Sequence, residues 1–485
     1  MYKQINRRDF LEKLGFGLSS TVLMSSCMGN MDMGGSDPVP VSGDTTFKNA
    51  LKIPETITSP SSMIAQAVQD TVMDGKNAKY IGYRSGLLGP TFRLQKGENF
   101  NVKFSNQLAE HTNIHWHGLV IPAEMDGHPD QMVMPNENFN YQFTINQQAG
   151  TNWYHPHPHG LTGKQVTQGL AGFFIVESPE EKALNLPNGS YEVPLVIQDK
   201  RFNTDATIKY SPTMMEMMSG YMGDNILVNG TASPYLNVST RFYRFRVLNG
   251  SSARIYNLAL SNGANFYVIG ADSGMLEKPE SVNSLLLASG ERVDILVDFT
   301  NIALNTEVYL ENKTFTGMGT AQGTQAFKVM KFIVNKQETD TFKVPSSLIS
   351  LAKLSNATKN RSFALTMDMA SMNGGMHKIN GKIYSATRID ETVAVGSTET
   401  WEFDNSTGDE PHPMHIHGVQ FQVVSRTGGR NTILPQEKAW KDTVLVAPTE
   451  KVKVIVKFEQ KGKFVFHCHN LEHEDDGMML NFEVK

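Results

Sequence analysis

Fourteen histidines stand in this 485-residue sequence, and most are crowded into four short groups. They are His115-Trp116-His117-Gly118, His155-Pro156-His157-Pro158-His159, His412-Pro413-Met414-His415-Ile416-His417-Gly418, and His467-Cys468-His469 with His473. Residues i and i+2 of a strand share one face, so a His-X-His pair presents two imidazoles side by side. Imidazole suits copper, zinc, iron and nickel. One such pair is commonplace in a core or on a surface. Four pairs in one chain, eight imidazoles in all, point to a shared metal cluster. His159 continues the alternation, but Pro158 disturbs the strand there, and it is read as a bystander.

The fourth group is the most specific. His467 and His469 face one side of a strand, and Cys468 must face the other. Its thiolate therefore belongs to a second metal site, for which His412, His473 and Met478 are at hand. Two His, one Cys and a weak axial Met form the ligand set of a blue copper electron-transfer centre. An electron arriving at Cys468 would need to cross only that residue and the adjoining backbone to reach the imidazole cluster. From the spacing of neighbouring Cα atoms, the two metal sites are expected roughly 10–14 Å apart.

The elements that position these groups read as strands. Glu137-Asn138-Phe139-Asn140-Tyr141-Gln142-Phe143, Glu291 to Phe299 and Glu450 to Phe458 each alternate apolar and polar residues, the period of a half-buried strand. Their glutamates lie 154 and 159 residues apart, too far for a solenoid and right for duplicated domains. Further strands are expected at 100–108, 170–177, 193–198, 241–248, 363–369, 419–425 and 478–484. Long helical periodicity is scarce, so the fold class is all-β, built of β-sandwiches. The His pairs obey the repeat: His115-Trp116-His117-Gly118 matches His415-Ile416-His417-Gly418, whereas the middle repeat has Asn249-Gly250-Ser251-Ser252-Ala253-Arg254 and no His. The first and third units are therefore expected face to face around the metals, with the middle unit a spacer and scaffold. The expected boundaries are 46–180, 190–340 and 355–485.

Ahead of these units, Arg7-Arg8-Asp9-Phe10-Leu11 and a diluted apolar stretch form a twin-arginine export pattern over residues 1–27. Leu23-Met24-Ser25-Ser26-Cys27 resembles a lipoprotein cleavage site with Cys27 acylated, and residues 28–45 read as a tether. Export to the periplasm is expected, with membrane contact only through that anchor. If Cys27 is lipidated, Cys468 is left without a disulfide partner. The chain carries 44 Lys+Arg against 49 Asp+Glu, a net charge of −5, and no basic excess for nucleic acid. No run of 18 apolar residues exists for a transmembrane helix.

The motifs His467-Cys468-His469-Asn470-Leu471-Glu472-His473-Glu474-Asp475-Asp476-Gly477-Met478 and Trp153-Tyr154-His155-Pro156-His157 resemble the multicopper oxidases, most closely the bacterial three-domain branch of copper-efflux oxidases and laccases. The resemblance covers about residue 50 to 485. It implies three cupredoxin-like Greek-key domains and four copper ions. By motif, type 1 copper would take His412, Cys468, His473 and Met478; type 2 copper His115 and His415; the type 3 pair His117, His155, His157, His417, His467 and His469. The implied reaction couples four one-electron oxidations to reduction of O₂ to water, in a chain expected to be a monomer. Asp126 and Glu474 occupy positions that in this branch look like proton-supplying acids. The alternative for each is a hydrogen bond that merely orients a His.

The reductant is the open question. Thioether sulfur is soft and favours Cu(I), and 25 Met are present. They cluster at Met214, Met215, Met217, Met218 and Met222, and at Met367, Met369, Met372 and Met376. Core filling suits Met367 and Met369, read at i and i+2 of a strand. It fits Met372 and Met376 poorly, beside Asn373-Gly374-Gly375, and it fits a run as dense as the first cluster no better. Met372, Met376, Met214 and Met218 are therefore candidates for a Cu(I) substrate site in a periplasmic cuprous oxidase. The copper-efflux branch often carries a longer Met-rich insertion in its third domain, absent here, which keeps a laccase oxidising small phenols or aromatic amines as the alternative. A copper-storage protein is a third reading, and the complete ligand set argues against it.

Overall fold

The computed structural model describes residues 41–42, 45–73, 76–83, 86–319, 323–371 and 374–485. The twin-arginine pattern, Cys27, most of the tether and Met372 lie outside the described residues. Among these residues no helix is long and apolar enough to cross a membrane.

Strand alternation builds each core. In Asn99–Asn106, Phe100, Val102 and Phe104 are buried while Asn99, Asn101 and Lys103 face solvent. Thr398–Asp404 does the same with Glu399, Trp401 and Phe403. Each large apolar side chain so buried contributes about 1.5–3 kcal/mol. The strands assemble into six sheets that pair as three sandwiches. The first combines Thr56–Ile57, Thr91–Gln95, Gly172–Glu177 and Gly150–Tyr154 with Lys76–Tyr83, Ser62–Met73, Asn99–Asn106 and Asn138–Thr144. The third packs two five-stranded sheets, one centred on Lys451–Lys457 and its neighbours, the other carrying His412–Ile416 beside Gly462–Cys468. The middle sandwich is the largest, and its six-stranded sheet also takes in Asn49–Ala50, paired in parallel with Pro234–Ser239. The chain thus docks on the middle unit before it builds the first.

The repeated glutamates have a common job. Glu137, Glu291 and Glu450 each accept, through a side-chain oxygen, the backbone N–H three residues earlier: from Met134 at 3.2 Å, Ala288 at 2.9 Å and Ala447 at 3.0 Å. Each glutamate carbonyl in turn accepts the N–H of an asparagine: Asn106, Asn249 or Asn405. The side-chain amides of those asparagines reach forward to carbonyls of Glu110, Arg254 and Glu410. The same two residues therefore pin the same loop in every unit. In the first and third units that loop runs into the His pairs; in the middle one it does not.

One expectation about local structure fails. Met369 is not on a strand: Lys359–Met367 ends first, and Met369–Ser371 is a single 3-10 turn. The run from Met214 is a short helix, Met214–Ser219, opened by a reciprocal cap between Thr213 and Glu216 and closed at Gly220 with φ 99°.

Candidate metal centre

His115 and His155 are joined by an isolated antiparallel bridge, and neither belongs to a named strand. The third pair begins on His412–Ile416 and the fourth on Gly462–Cys468, where His415 lies opposite His467 and Met414 opposite Cys468. A regular strand therefore supports only half of the pairs, because Pro156 and the turn at Gly118 interrupt the others. The extended backbone of the bridge still keeps i and i+2 on one side. Ring centroids within the pairs are 5.6 Å (His115–His117), 5.8 Å (His155–His157), 4.9 Å (His415–His417) and 5.8 Å (His467–His469). All eight rings are at most 1% exposed.

The hydrogen bonds of these rings decide what they can do. His115 Nδ1 donates to the Asp126 carbonyl and His415 Nδ1 to the Asp442 carbonyl, both at 2.8 Å. A carbonyl can only accept, so each proton is on Nδ1 and each Nε2 carries a lone pair. Yet the two Nε2 atoms lie 3.3 Å apart. His417 Nδ1 donates to the Asp126 carboxylate at 2.7 Å and His467 Nδ1 to the Cys468 carbonyl at 3.0 Å, and their Nε2 lone pairs meet at 3.1 Å. His117 is turned the other way. Its Nε2 donates to Asp442 at 2.9 Å, leaving Nδ1 3.4 Å from Nε2 of His155, whose own Nδ1 donates to Pro156 at 2.8 Å. His157 Nε2 completes the set, 3.0 Å from His467 Nε2. Lone pairs facing lone pairs repel unless a cation lies between them. Burial, with the neighbouring imidazoles, holds His115, His117, His155, His157, His417 and His469 well below the usual imidazole range. Burial also lowers His415 to about 3. Neutral imidazole is the form that binds a metal.

Cys468 faces away from this cluster, as the period of two requires. Its Sγ is 3.5 Å from His412 Nδ1 and 3.7 Å from His473 Nδ1, and those two nitrogens are 3.3 Å apart. His473 Nε2 donates to the carbonyl of Met218 at 2.8 Å, again leaving the lone pair on the inward nitrogen. Burial pushes the Cys468 thiol well up, so a thiolate here requires a cation beside it. Met478 is fully buried, its N–H on His473 O at 2.9 Å and its carbonyl on Cys468 N–H at 3.0 Å. Sets of three ligand atoms within 4.8 Å of one another include His115/His117/His155, His115/His415/His417, His157/His417/His467 and His412/Cys468/His473.

Family models described as multicopper oxidase match residues 65–181, 194–330 and 343–485. This chain belongs to the multicopper oxidase family. It is 35% identical to the multicopper oxidase mco of Staphylococcus aureus over 427 residues, 87% of each chain. It is 31% identical to a laccase of Bacillus subtilis, covering 90% of this chain and 98% of that one. The structure of McoA, a multicopper oxidase of Aquifex aeolicus, superposes with a TM-score of 0.83 at 36% identity over 90% of this chain and 99% of that one. The three sandwiches are thus the three cupredoxin domains of an oxygen-reducing oxidase, and the His clusters are its copper-binding groups. Mutually facing lone pairs on buried neutral imidazoles fit copper.

Around the ligands the oxidase places residues that sequence reasoning passes over. Asp442, which holds His117, is gripped by both ends of the Arg292 guanidinium at 2.7 and 2.5 Å. Although burial pushes the Asp442 carboxyl up, Arg292 holds it below the usual carboxylate range. Gly118 must be glycine: at φ 91° a Cβ would lie 2.6 Å from Arg292, Asn152 and Asp442. His377 stacks on His473, ring centroids 3.7 Å apart at 17°, and Asp476 holds its Nδ1 at 3.2 Å. Arg292 sits inside the repeated strand motif and His377 next to Met376, but nothing local marks either as a neighbour of the ligands. His159 is exposed against Tyr384 and joins no His cluster.

The two acids are where they can act. Asp126 Oδ2 takes the His417 proton, its Oδ1 has no hydrogen-bond partner, and burial raises its pKa well above the ordinary value. Glu474 lies between two ligands, Oε1 3.4 Å from His157 Nδ1 and Oε2 3.2 Å from His467 Nδ1. The four methionines proposed as a Cu(I) site divide. The Met218 carbonyl bonds both His473 and His377, and Met376 is buried next to His377. Met214 is 51% exposed on the first turn of its helix, and Met372 is outside the described residues.

Proposed function

We propose that this oxidase is a cuprous oxidase of the periplasm, exported by the twin-arginine pattern and serving copper tolerance. Four coppers would be held as type 1 by His412, Cys468, His473 and Met478, as type 2 by His115 and His415, and as a type 3 pair by His117, His155, His157, His417, His467 and His469. Bound copper supplies reversible one-electron chemistry, and four ions together hold the electrons that turn O₂ into water. The chain does the rest. Cys468 and its neighbours His467 and His469 link the two sites through one strand end, Asp442 and Asp126 fix which nitrogen of a ligand is free, and Glu474 sets a carboxyl between His157 and His467.

The observation that favours Cu(I) is the closure of the type 1 edge. His473 is fully buried, its outer nitrogen is bonded to Met218 O, and its face is covered by His377. A flat phenol has no ring edge to lie against, whereas a small soft ion needs only thioethers and carboxylates near that seal. Met214 and Met215 are exposed on the sealing helix and Asp476 flanks His377.

The expected result is a catalytic efficiency on Cu(I) at least about tenfold above that on 2,6-dimethoxyphenol, about 1.4 kcal/mol of transition-state preference. Oxygen uptake with and without added Cu(II) measures it. Replacing Met372 and Met376 by Ser should lower Cu(I) oxidation more than phenol oxidation; equal losses remove the case for a Met-lined Cu(I) site. The likeness to a laccase supports the second reading, broad oxidation of phenols, which a higher efficiency on the phenol would establish.

A further inference from the structure

The middle domain holds none of the ligands, yet it touches one directly. Ser289 Oγ lies 2.6 Å from the Ser251 carbonyl and 3.2 Å from His469 Nδ1. The carbonyl can only accept, so the hydroxyl proton points at Ser251 and the oxygen is left to accept from His469. That places the His469 proton on Nδ1 and its lone pair on Nε2, which is buried and has no hydrogen-bond partner. The next residue, Gly290, has φ 80°, and a Cβ there would stand 2.9 Å from Cγ and Cδ2 of the His469 ring and 3.0 Å from Nδ1. The turn therefore meets the imidazole twice, with an acceptor at its edge and bare backbone against its face.

Six of the other seven rings draw their proton acceptors from the two copper-bearing domains: Asp126 for His115 and His417, Pro156 for His155, Asp442 for His117 and His415, Cys468 for His467; the seventh, His157, turns its Nδ1 toward Glu474 of the third domain at 3.4 Å. Among the described residues, His469 is the cluster ligand whose acceptor belongs to the middle domain.

We propose that the Ser289–Gly290 turn of the middle domain fixes the tautomer and ring plane of His469, making Ser289 a positioning residue for the imidazole cluster. The inference rests on the reading of His469 as a copper ligand. Without the serine oxygen, the Nδ1 proton is no longer favoured and the ring can present the wrong nitrogen. Outer partners of this kind typically change metal affinity by about 10–100-fold.

The test uses the copper-loaded protein. In Ser289→Ala the blue absorption of the Cys468 site should persist, while copper in the His cluster is lost to a chelator series at concentrations about 10–100-fold lower than in the parent. Gly290→Ala should show the same split by displacing the ring. Selective ¹⁵N-histidine labelling of the fully reduced, diamagnetic protein, with His469→Gln for assignment, should show the proton on Nδ1. Ser289→Ala with unchanged copper retention overturns the proposal, as does a proton on Nε2 of His469 in the parent, a measurement that stands even where the variants do not fold. A parent protein that holds copper only at the Cys468 site overturns the reading of His469 as a ligand, a result distinct from both.

Discussion

Glu474→Gln is expected to keep its copper and its blue absorption and to slow reoxidation of the reduced enzyme by O₂ about 100- to 10,000-fold, the usual contribution of a positioned acid or base. The side chain is 1% exposed and lies between Nδ1 of His157, from the first domain, and Nδ1 of His467, from the third. Neither of its oxygens has a conventional hydrogen bond, and His467 Nδ1 already serves the Cys468 carbonyl. A carboxyl there is free to carry a proton to and from the cluster side. Glutamine keeps the size and the contacts but cannot shed and regain a proton. The Cys468 site lies on the opposite face of the strand and should not respond. Single-turnover mixing of reduced enzyme with O₂, read as return of the blue band, measures the effect; an unchanged rate removes Glu474 from proton delivery. Asp126→Asn should behave differently. Its amide can turn a donor toward His417 Nδ1, so copper content should fall together with rate.

Arg292→Met should destabilise the protein by about 3–5 kcal/mol, the cost of leaving a buried charge without its partner. The guanidinium is fully buried and spans all three domains. It donates to Thr151 O of the first at 2.8 Å, Gly290 O of the middle at 3.0 Å and both oxygens of Asp442 of the third. Its removal strands the Asp442 carboxylate, which is also fully buried and holds His117. Urea unfolding of the variant measures the loss, and Arg292→Lys should recover only part of it because an ammonium cannot grip two oxygens at once. The pH dependence has a definite sign. Asp442 is depressed in the folded state, so its contribution is complete above the ordinary carboxylate pKa of about 3.9 and fades as pH falls toward its folded value. The variant should lose this acid-sensitive component. A variant as stable as the parent would mean that Asp442 finds another cation, with Lys441 the nearest in sequence.

The sequence showed its period-of-two features plainly. A strand's alternation is local, so the repeated strands, the eight paired imidazoles and the opposed Cys468 could all be read from spacing. What held those groups in place could not. Asp442 lies 325 residues from His117, Ser289 lies 180 from His469, and Met218 lies 255 from His473. No window contains both partners, and a lone Ser or a backbone carbonyl has no signature of its own. The middle domain reads as a spacer and scaffold for the same reason: it lacks ligands, and its contribution is made through an arginine, a serine and a carbonyl. The Met214 run held a readable signal that composition obscured. Thr213 with Glu216 three residues later is a helix opening, and it turns a string of thioethers into a helix that covers a ligand.

The pins formed by Asn106 and Glu137, Asn249 and Glu291, and Asn405 and Glu450 bear on the order of assembly. The middle domain closes its loop with these bonds and has no histidine to bring to an ion. The backbone shape of that loop is therefore a property of the polypeptide alone, whereas the imidazoles carried by its counterparts repel one another until a cation lies between them. Copper then has a backbone frame to enter and side chains to settle, so metal binding should order the imidazoles without rebuilding the loops that carry them.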